Sequence, residues 1–469
     1  MRNVLALLAA SAVIIVPAAA QTQRLQSLNP RDVQEAARQH PALVAEFGGA
    51  ETGPRAAYVE SVGRRVAAYS GTANPGQVYH FTTLNSAVEN AFAVPGGYVY
   101  ITRQLMGIMN DEAELAFVVG HETGHIAANH AQARKAASRN NSILGVLGVL
   151  LGSVVGGGFG NMIAQSAQYS SKLRTLGFSR NQEYEADVLG IRYLARAGYD
   201  PNAGSTMLRQ LTLNSALESR IQGDANRSTP EWASTHPLSQ NRVTEAAQAA
   251  RQTGRAGQGL RNRDAFLAQL EGVTVDDDPA QGIIDGRSFT HPDLRLQFIV
   301  PTGFLMQNGT TAVSIEGSSG QAQFSGGRVQ LALGPLQRTN VNGIPATYVV
   351  GRANTSGGAV DVGVFAYQWD RDTVYHFVTL TRAGQGLAPF ASMVNSLRRI
   401  SANEAASIRP RIIDVVTVGR GDTLQSLAGR MAYRNFQMDR FLALNGLTAG
   451  SRLVPGQKVK LVVYGLRRR

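Results

Sequence analysis

Between Phe117 and His130 the chain reads FVVGHETGHIAANH, which places three of its eight histidines within ten positions of an otherwise apolar stretch. Imidazole rings are costly to bury unless they find partners. His121 and His125 stand at i and i+4, so on a helix both rings leave the same face, with Glu122 projecting beside them. That is the H-E-x-x-H arrangement, in which two imidazoles hold a zinc ion and the neighbouring carboxylate serves as general base toward water. Chance would produce the pattern only about 0.01 times in a chain of this composition. A lone match can still be a satisfied pair of core histidines, so the remaining ligand has to be found.

A catalytic zinc takes three protein ligands and leaves a further position to water. The chain has no cysteine, so the third ligand must be His, Asp or Glu. The segment SRNQEYEADVLG, Ser179 to Gly190, offers Glu183 and Asp187 at i and i+4 on one helix face. Glu183 suits the metal. Asp187 could accept the free N–H of a ligand imidazole and fix its tautomer. Taken alone, with Glu185 between them, these acids would read as a solvated helix face; the upstream pair reverses that preference.

HETGH with the further His130, then SRNQEYEAD, resembles the HtpX-like and CAAX-prenyl-protease-like family of zinc metalloendopeptidases. Upstream, NAFAVPGGYVYITRQLM resembles that family's strand and turn, and downstream STHPLSQNR resembles its His-Pro segment. The likeness runs over about Asn29 to Arg251, and a signal peptide places it nearest the soluble periplasmic, BepA-like branch, without that branch's tetratricopeptide domain. The resemblance implies one Zn2+ per chain on His121, His125 and Glu183, with Glu122 as general base. His236 matches the family's second-site histidine, which caps the metal at rest or steadies the oxyanion, with Arg242 as its partner. Ala91, Phe92, Ala93, Val94, Pro95 and Gly96 could form an exposed strand edge on which an extended substrate pairs through its main chain.

These residues need a scaffold. Asn110 to Ser138 is expected as one long amphipathic helix with Asp111 and Glu112 in its first turn, where the helix dipole favours them. On such a helix His130 falls nine residues beyond His121 and near half a turn off the ligand face. It would then pack or make an outer contact rather than bind metal. Two helices should fill Arg31–Tyr69, a strand Val78–Leu84, and further helices Ser179–Ala197, Asn202–Leu217 and Ser239–Arg251. Asn140 to Ser171 carries no charge but is interrupted by glycines. It reads as a lid over the cleft that could also touch a membrane surface.

The whole chain bounds these readings. Its 469 residues allow two to four domains, and 43% hydrophobic with 17% charged residues is a globular composition. The net charge of +12 is spread along the chain, which speaks against a nucleic-acid surface. MRNVLALLAASAVIIVPAAA has the order of a secretory signal peptide, pointing to a periplasmic location.

The expected fold is α+β and multidomain. A signal peptide at 1–20 precedes a mainly helical, zincin (gluzincin-like) protease domain with a small edge sheet at 29–251. A Gly-, Arg- and Asp-rich linker follows at 252–285, then a small α+β domain at 286–402 closed by a helix, PFASMVNSLRRI. At 409–466, VVTVGRGDTLQSLAGR, FLALNGLT and RLVPGQKVKLVV resemble a βααβ LysM domain. That likeness implies a peptidoglycan tether with Gly421, Asp422, Thr423 and Asn445 as glycan-binding candidates and Asp422 as a helix cap.

The expected function is zinc-dependent hydrolysis of unfolded or misassembled envelope proteins, outer-membrane proteins among them. Two alternatives stand beside it. One is a chaperone for outer-membrane proteins with a normally shut protease site; the other is a peptidoglycan endopeptidase.

Overall fold

A computed structural model describes residues 25–131, 178–222, 236–327, 335–355 and 358–466. The expected signal peptide and the uncharged stretch Asn140–Ser171 lie outside the described residues. The first part of the chain builds α1 (Pro30–Glu46), α2 (Pro54–Ala67), α3 (Pro75–Val78), β1 (His80–Leu84), β2 (Ala91–Val94), β3 (Tyr98–Thr102), α4 (Arg103–Ile108) and α5 (Glu112–Ala127). Then come α6 (Arg180–Arg196), α7 (Ala203–Gln222) and α8 (Gln240–Gln252). Proline opens α1 and α2, where its missing N–H would have no partner in any case. The three strands form a mixed sheet in the order β1-β3-β2, which leaves β2 at an edge. The β2–β3 turn uses Gly96 and Gly97 at φ +106° and +98°, and a Cβ on Gly97 would sit 1.9 Å from the Val78 carbonyl oxygen. Only glycine fits there.

The expected amphipathic helix is shorter and buried all round. Every residue of α5 from Glu112 to Ile126 is inaccessible, because α2, α6, α7 and β2 pack around it. A helix covered on all sides has no polar face to display. Its charged first turn is paired instead: Tyr199 Oη and Asn262 Nδ2 donate to Glu112 at 2.7 and 2.9 Å. Asp111 caps the helix by accepting the Glu114 N–H and receives Arg261 Nε at 2.8 Å. The backbones of α5 and α6 nearly touch where Gly120 faces Gly190.

The stretch 252–285 was expected as a linker and is instead built into the structure. Its helix α9 (Arg263–Leu270) buries Phe266, Leu267 and Leu270 in the same core as α5. Its strand β4 (Thr274–Val275) pairs with a strand of the C-terminal unit. The Arg and Asp residues that suggested a solvated linker are consumed in turns and ion pairs, such as Arg261 with Asp111 and Asp200.

The middle part is almost wholly β. Strands β5 (Ile283–Asp285), β6 (Ser288–His291) and β7 (Leu296–Ile299) join β15 (Arg398–Arg399) in a four-stranded sheet. A seven-stranded antiparallel sheet contains β8 (Phe304–Asn308), β9 (Ala312–Gly317), β10 (Gly320–Gly326), β11 (Gln337–Val341), β12 (Ile344–Thr355), β13 (Gly358–Gln368) and β14 (Val374–Arg382). Phe298, Phe324, Phe377 and Phe390 fill the core that the part shares. The expected closing helix shrinks to a 3₁₀ turn and α10 (Ala391–Val394), and Arg398–Arg399 leave it to extend the smaller sheet.

After α11 (Ala402–Ser407), the C-terminal unit runs β16 (Arg411–Thr417), α12 (Leu424–Ala428), α13 (Gln437–Leu444) and β17 (Lys458–Tyr464). Ile413, Phe441, Val459 and Leu461 belong to one hydrophobic core with Val66, Phe117 and Leu267. The fully buried Lys460 donates from Nζ to the Gly107 carbonyl at 2.9 Å and to that of Met109, at the approach to α5. This unit is fused to the helical part rather than hung from it.

Candidate metal centre

Four buried side chains converge between α5, α6 and the segment before α8. One ligand atom from each of His121, His125, Glu183 and His236 can be chosen so that all lie within 4.8 Å of one another. His121 Nε2 and His125 Nε2 are 3.0 Å apart, and Glu183 reaches them at 3.6 and 3.5 Å. His236 Nδ1 lies 3.0 Å from Glu183 Oε1 and 3.3 Å from His121 Nε2. The residues singled out on two distant sequence segments, and His236 on a third, therefore share one spot.

Helix geometry explains the convergence. The i, i+4 spacing puts both histidines on the face of α5 toward α6. The Gly120–Gly190 crossing then brings the backbones close: a Cβ on Gly190 would sit 2.9 Å from the His121 amide nitrogen. Ser179 caps α6 with a reciprocal capping box to Gln182 and so sets where Glu183 begins its turn. Asp187 comes one turn later, and its Oδ1 meets His121 Nδ1 at 2.9 Å. The proton of His121 therefore sits on Nδ1, and the lone pair of Nε2 faces inward.

Arg242 does not stand free beside an oxyanion position, as its expected partnership with His236 implied. It donates through Nε and Nη2 to Asp187, at 2.8 Å each, and through Nη1 to Glu183 at 2.9 Å and the Pro237 carbonyl at 3.1 Å. These charge-assisted contacts lock the two carboxylates of α6 in place.

The charges follow from this arrangement. Burial works to raise Glu183 and Asp187, but His236 and Arg242 respectively, each the strongest opposing charge, win and hold both below the usual carboxylate range. Burial depresses His125 well below the usual imidazole value, and His121 and His236 add to that, which keeps it a neutral donor of a lone pair. For His236 burial acts downward, yet Glu183 and Glu122 raise it. Glu122 is pushed up by burial, and both its oxygens are buried with no hydrogen-bond partner among the described residues, His236 Nε2 standing 3.5 Å from Oε1. A buried carboxylate without a partner is expensive. A cation and its water beside the ligand cluster would supply what Glu122 lacks, so the residues present fit a zinc ion.

The other expected residues are distributed unevenly. Ala93, Pro95 and Gly96 line a cleft that reaches His125 and Ile126 and is also lined by Leu28 and Asp32 of the N-terminal region. Ala91 and Phe92, from the same edge strand, are buried on opposite faces, Ala91 in the main core and Phe92 in a smaller cluster with Phe47, Leu84 and Tyr100. Gly421 and Thr423 are exposed, and Thr423, not Asp422, caps α12; Asp422 accepts the Gly419 N–H instead. Asn445 cannot reach a glycan as placed: it is buried, with Nδ2 donating to the Phe441 and Lys460 carbonyls and Oδ1 accepting the Lys460 N–H.

Of two further contacts at the site, one escaped sequence reasoning and the other was expected as an outer contact but without its partner. Phe178 stacks on His125 with ring centroids 3.8 Å apart, and its position just before the Ser179 cap was the available hint. His130 is the other. Because α5 ends at Ala127 and Asn129 takes a left-handed φ of 56°, His130 turns back to place Nδ1 2.9 Å from His125 Nδ1. A helix continued to Ser138 would have pointed it away.

Comparison with known proteins gives a matching picture. Residues 54–250 match the profile of peptidase family M48, and residues 416–462 that of the LysM domain. Over 198 residues the chain is 30% identical to the beta-barrel assembly-enhancing protease of Escherichia coli strain K12, covering 42% of this chain and 39% of that one. It is 30% identical over 194 residues to the mitochondrial metalloendopeptidase OMA1 of Schizosaccharomyces pombe, covering 40% and 51%. The chain thus spans between about two fifths and one half of the length of these relatives. Among the described residues no helix is long and apolar enough to cross a membrane.

Proposed function

We propose, from the premise that residues 54–250 belong to peptidase family M48 and residues 416–462 form a LysM domain, that the chain is a zinc-dependent endopeptidase of the bacterial periplasm. Its substrates would be unfolded or misassembled envelope proteins, those of the outer membrane among them, as the name of the Escherichia coli relative suggests. The observation that carries this reading is the Glu122 carboxylate, without a hydrogen-bond partner among the described residues, beside four converging ligand side chains.

His121, His125 and Glu183 would hold one zinc ion, with Asp187 and Arg242 keeping His121 and Glu183 in place. Zinc supplies a Lewis acid that polarises the scissile carbonyl and acidifies water. Glu122 takes a proton from the attacking water onto its carboxylate and returns it to the leaving amine, and its burial-raised affinity for protons suits both steps. The β2 edge from Ala93 to Gly96 would offer main-chain groups to an extended peptide, which reads backbone rather than side chains and so suits unfolded clients. His236 would occupy the remaining position as a cap until substrate displaces it. The LysM unit would tether the enzyme to peptidoglycan through the exposed loop around Gly421, Asp422 and Thr423.

Metal analysis and a single substitution test this. One zinc should copurify per chain, and Glu122→Gln should retain it while losing at least about two orders of magnitude in casein hydrolysis. A metal-free wild type, or an active Glu122→Gln, overturns the reading. Cleavage of muropeptides in preference to casein would replace it with a cell-wall activity.

A further inference from the structure

The two histidines that α5 brings to the centre are supported differently. His121 Nδ1 meets the Asp187 carboxylate directly at 2.9 Å, whereas His125 Nδ1 faces another imidazole, His130 Nδ1, also at 2.9 Å. On its far side His130 Nε2 lies 3.3 Å from Glu185 Oε2. The His130 carbonyl accepts from Gln182 Nε2 at 3.3 Å, so two residues of α6 hold this turn. His130 is 4% exposed.

Proton positions follow by elimination. Two ring nitrogens facing one another form a hydrogen bond only when one carries hydrogen and the other a lone pair. For His125 to present a lone pair at Nε2, toward His121 and Glu183, its proton must sit on Nδ1. His130 Nδ1 must then accept, which moves its own proton to Nε2, where the Glu185 carboxylate waits. With a single proton on each ring, this is the only assignment that gives both ring contacts of His130 one donor and one acceptor; it leaves the Nε2 lone pairs of His125 and His121 facing one another at 3.0 Å, as two ligands of one ion would.

We infer that His130 is a positioning residue that fixes His125 as the Nε2-ligating tautomer, with Glu185 anchoring the relay. This rests on the metal reading above and adds a residue to it. The Glu185 side chain is 59% exposed, so solvent screening makes its share small, while the buried His130 carries the effect. An outer hydrogen-bond partner of a ligating histidine is worth about 10- to 100-fold in metal affinity.

The experiment uses the full chain and measures the zinc dissociation constant by competition with a chromophoric chelator. His130→Phe keeps a ring of similar volume but offers no acceptor, and should weaken zinc binding by about 10- to 100-fold. His130→Asn places a carbonyl oxygen where Nδ1 stood and should recover most of the loss, a rescue that mere packing would not give. Glu185→Gln should change affinity by less than about fivefold. The second measurement needs no variant: in zinc-loaded wild type, the 15N signals of the His125 ring should show Nδ1 protonated and Nε2 metal-bound. Wild-type affinity in His130→Phe, no rescue by Asn, or a His125 bound through Nδ1 would each overturn the inference. A wild type that binds no zinc would instead overturn the metal reading beneath it.

Discussion

Arg242 grips Asp187 with a two-pronged contact, Nε to Oδ2 and Nη2 to Oδ1, each at 2.8 Å, inside a site where neither side chain reaches solvent. The planar guanidinium matches the carboxylate in a way that an ammonium group cannot. Its third donor holds Glu183. Arg242→Lys should therefore keep the charge yet lower zinc affinity by about 10- to 100-fold, read by chelator competition. Lysine at wild-type affinity would mean that charge alone suffices.

The Gly120–Gly190 crossing makes a second expectation. Gly190→Ala puts a Cβ 2.9 Å from the His121 amide nitrogen, and backbone cannot swing away as a side chain can. The helices must part, at a cost of about 1 to 3 kcal/mol, with zinc affinity falling alongside. Gly450→Ala, which meets nothing within 4 Å, is the control and should leave both melting temperature and zinc content alone.

His236 sits within reach of both Glu183 and Glu122, at 3.0 and 3.5 Å. As a cap on the metal it restrains the enzyme, so His236→Ala should raise basal casein hydrolysis with zinc retained. As an oxyanion donor it would have the opposite sign, a drop of about two orders of magnitude in kcat. Steady-state rates for the one variant separate the two roles.

Truncation tests the fusion of the C-terminal unit. Ending the chain at Ser407 strips Ile413, Phe441, Val459 and Leu461 from the shared core and leaves β4 without its partner strand. Burying such side chains is worth about 1.5 to 3 kcal/mol each, so the loss is comparable with the whole stability of an ordinary domain. The truncated protein should be insoluble or lack a cooperative melt. Soluble truncated enzyme with wild-type zinc and melting temperature would restore the picture of a separable tether.

His376 gives the middle part a pH signature. Burial lowers its pKa from 6.5 to about 4, with Ser325 Oγ 2.9 Å from Nε2. Between those values the unfolded chain binds the proton and the folded chain does not. Stability present above pH 6.5 is thus lost as the pH falls toward 4, by about 3 kcal/mol at most. Thermal unfolding at pH 7 and pH 4.5 should show the loss, and His376→Gln, which cannot titrate, should shrink it.

Local spacing determined the chemistry by itself. The i, i+4 pairs His121/His125 and Glu183/Asp187 declare shared helix faces because a helix repeats every 3.6 residues, whatever surrounds it. The order of elements in the last unit was legible for the same reason: strand and turn signals are local.

What the tertiary structure alone decided depends on contacts between segments far apart in sequence. The stretch 252–285 looked like a linker because Gly, Arg and Asp are polar when alone; Arg261 and the apolar face of α9 acquire partners only when α5 and β16 are in place. Asn445 looked available for a glycan until Lys460, fifteen residues on, claimed its amide. His130 changed sides because one left-handed residue, Asn129, ended the helix early, and no periodicity carries across such a break. Arg242 became a clamp because α8 delivers it to the two carboxylates of α6. Periodicity fixes which side chains share a face; packing decides what that face meets.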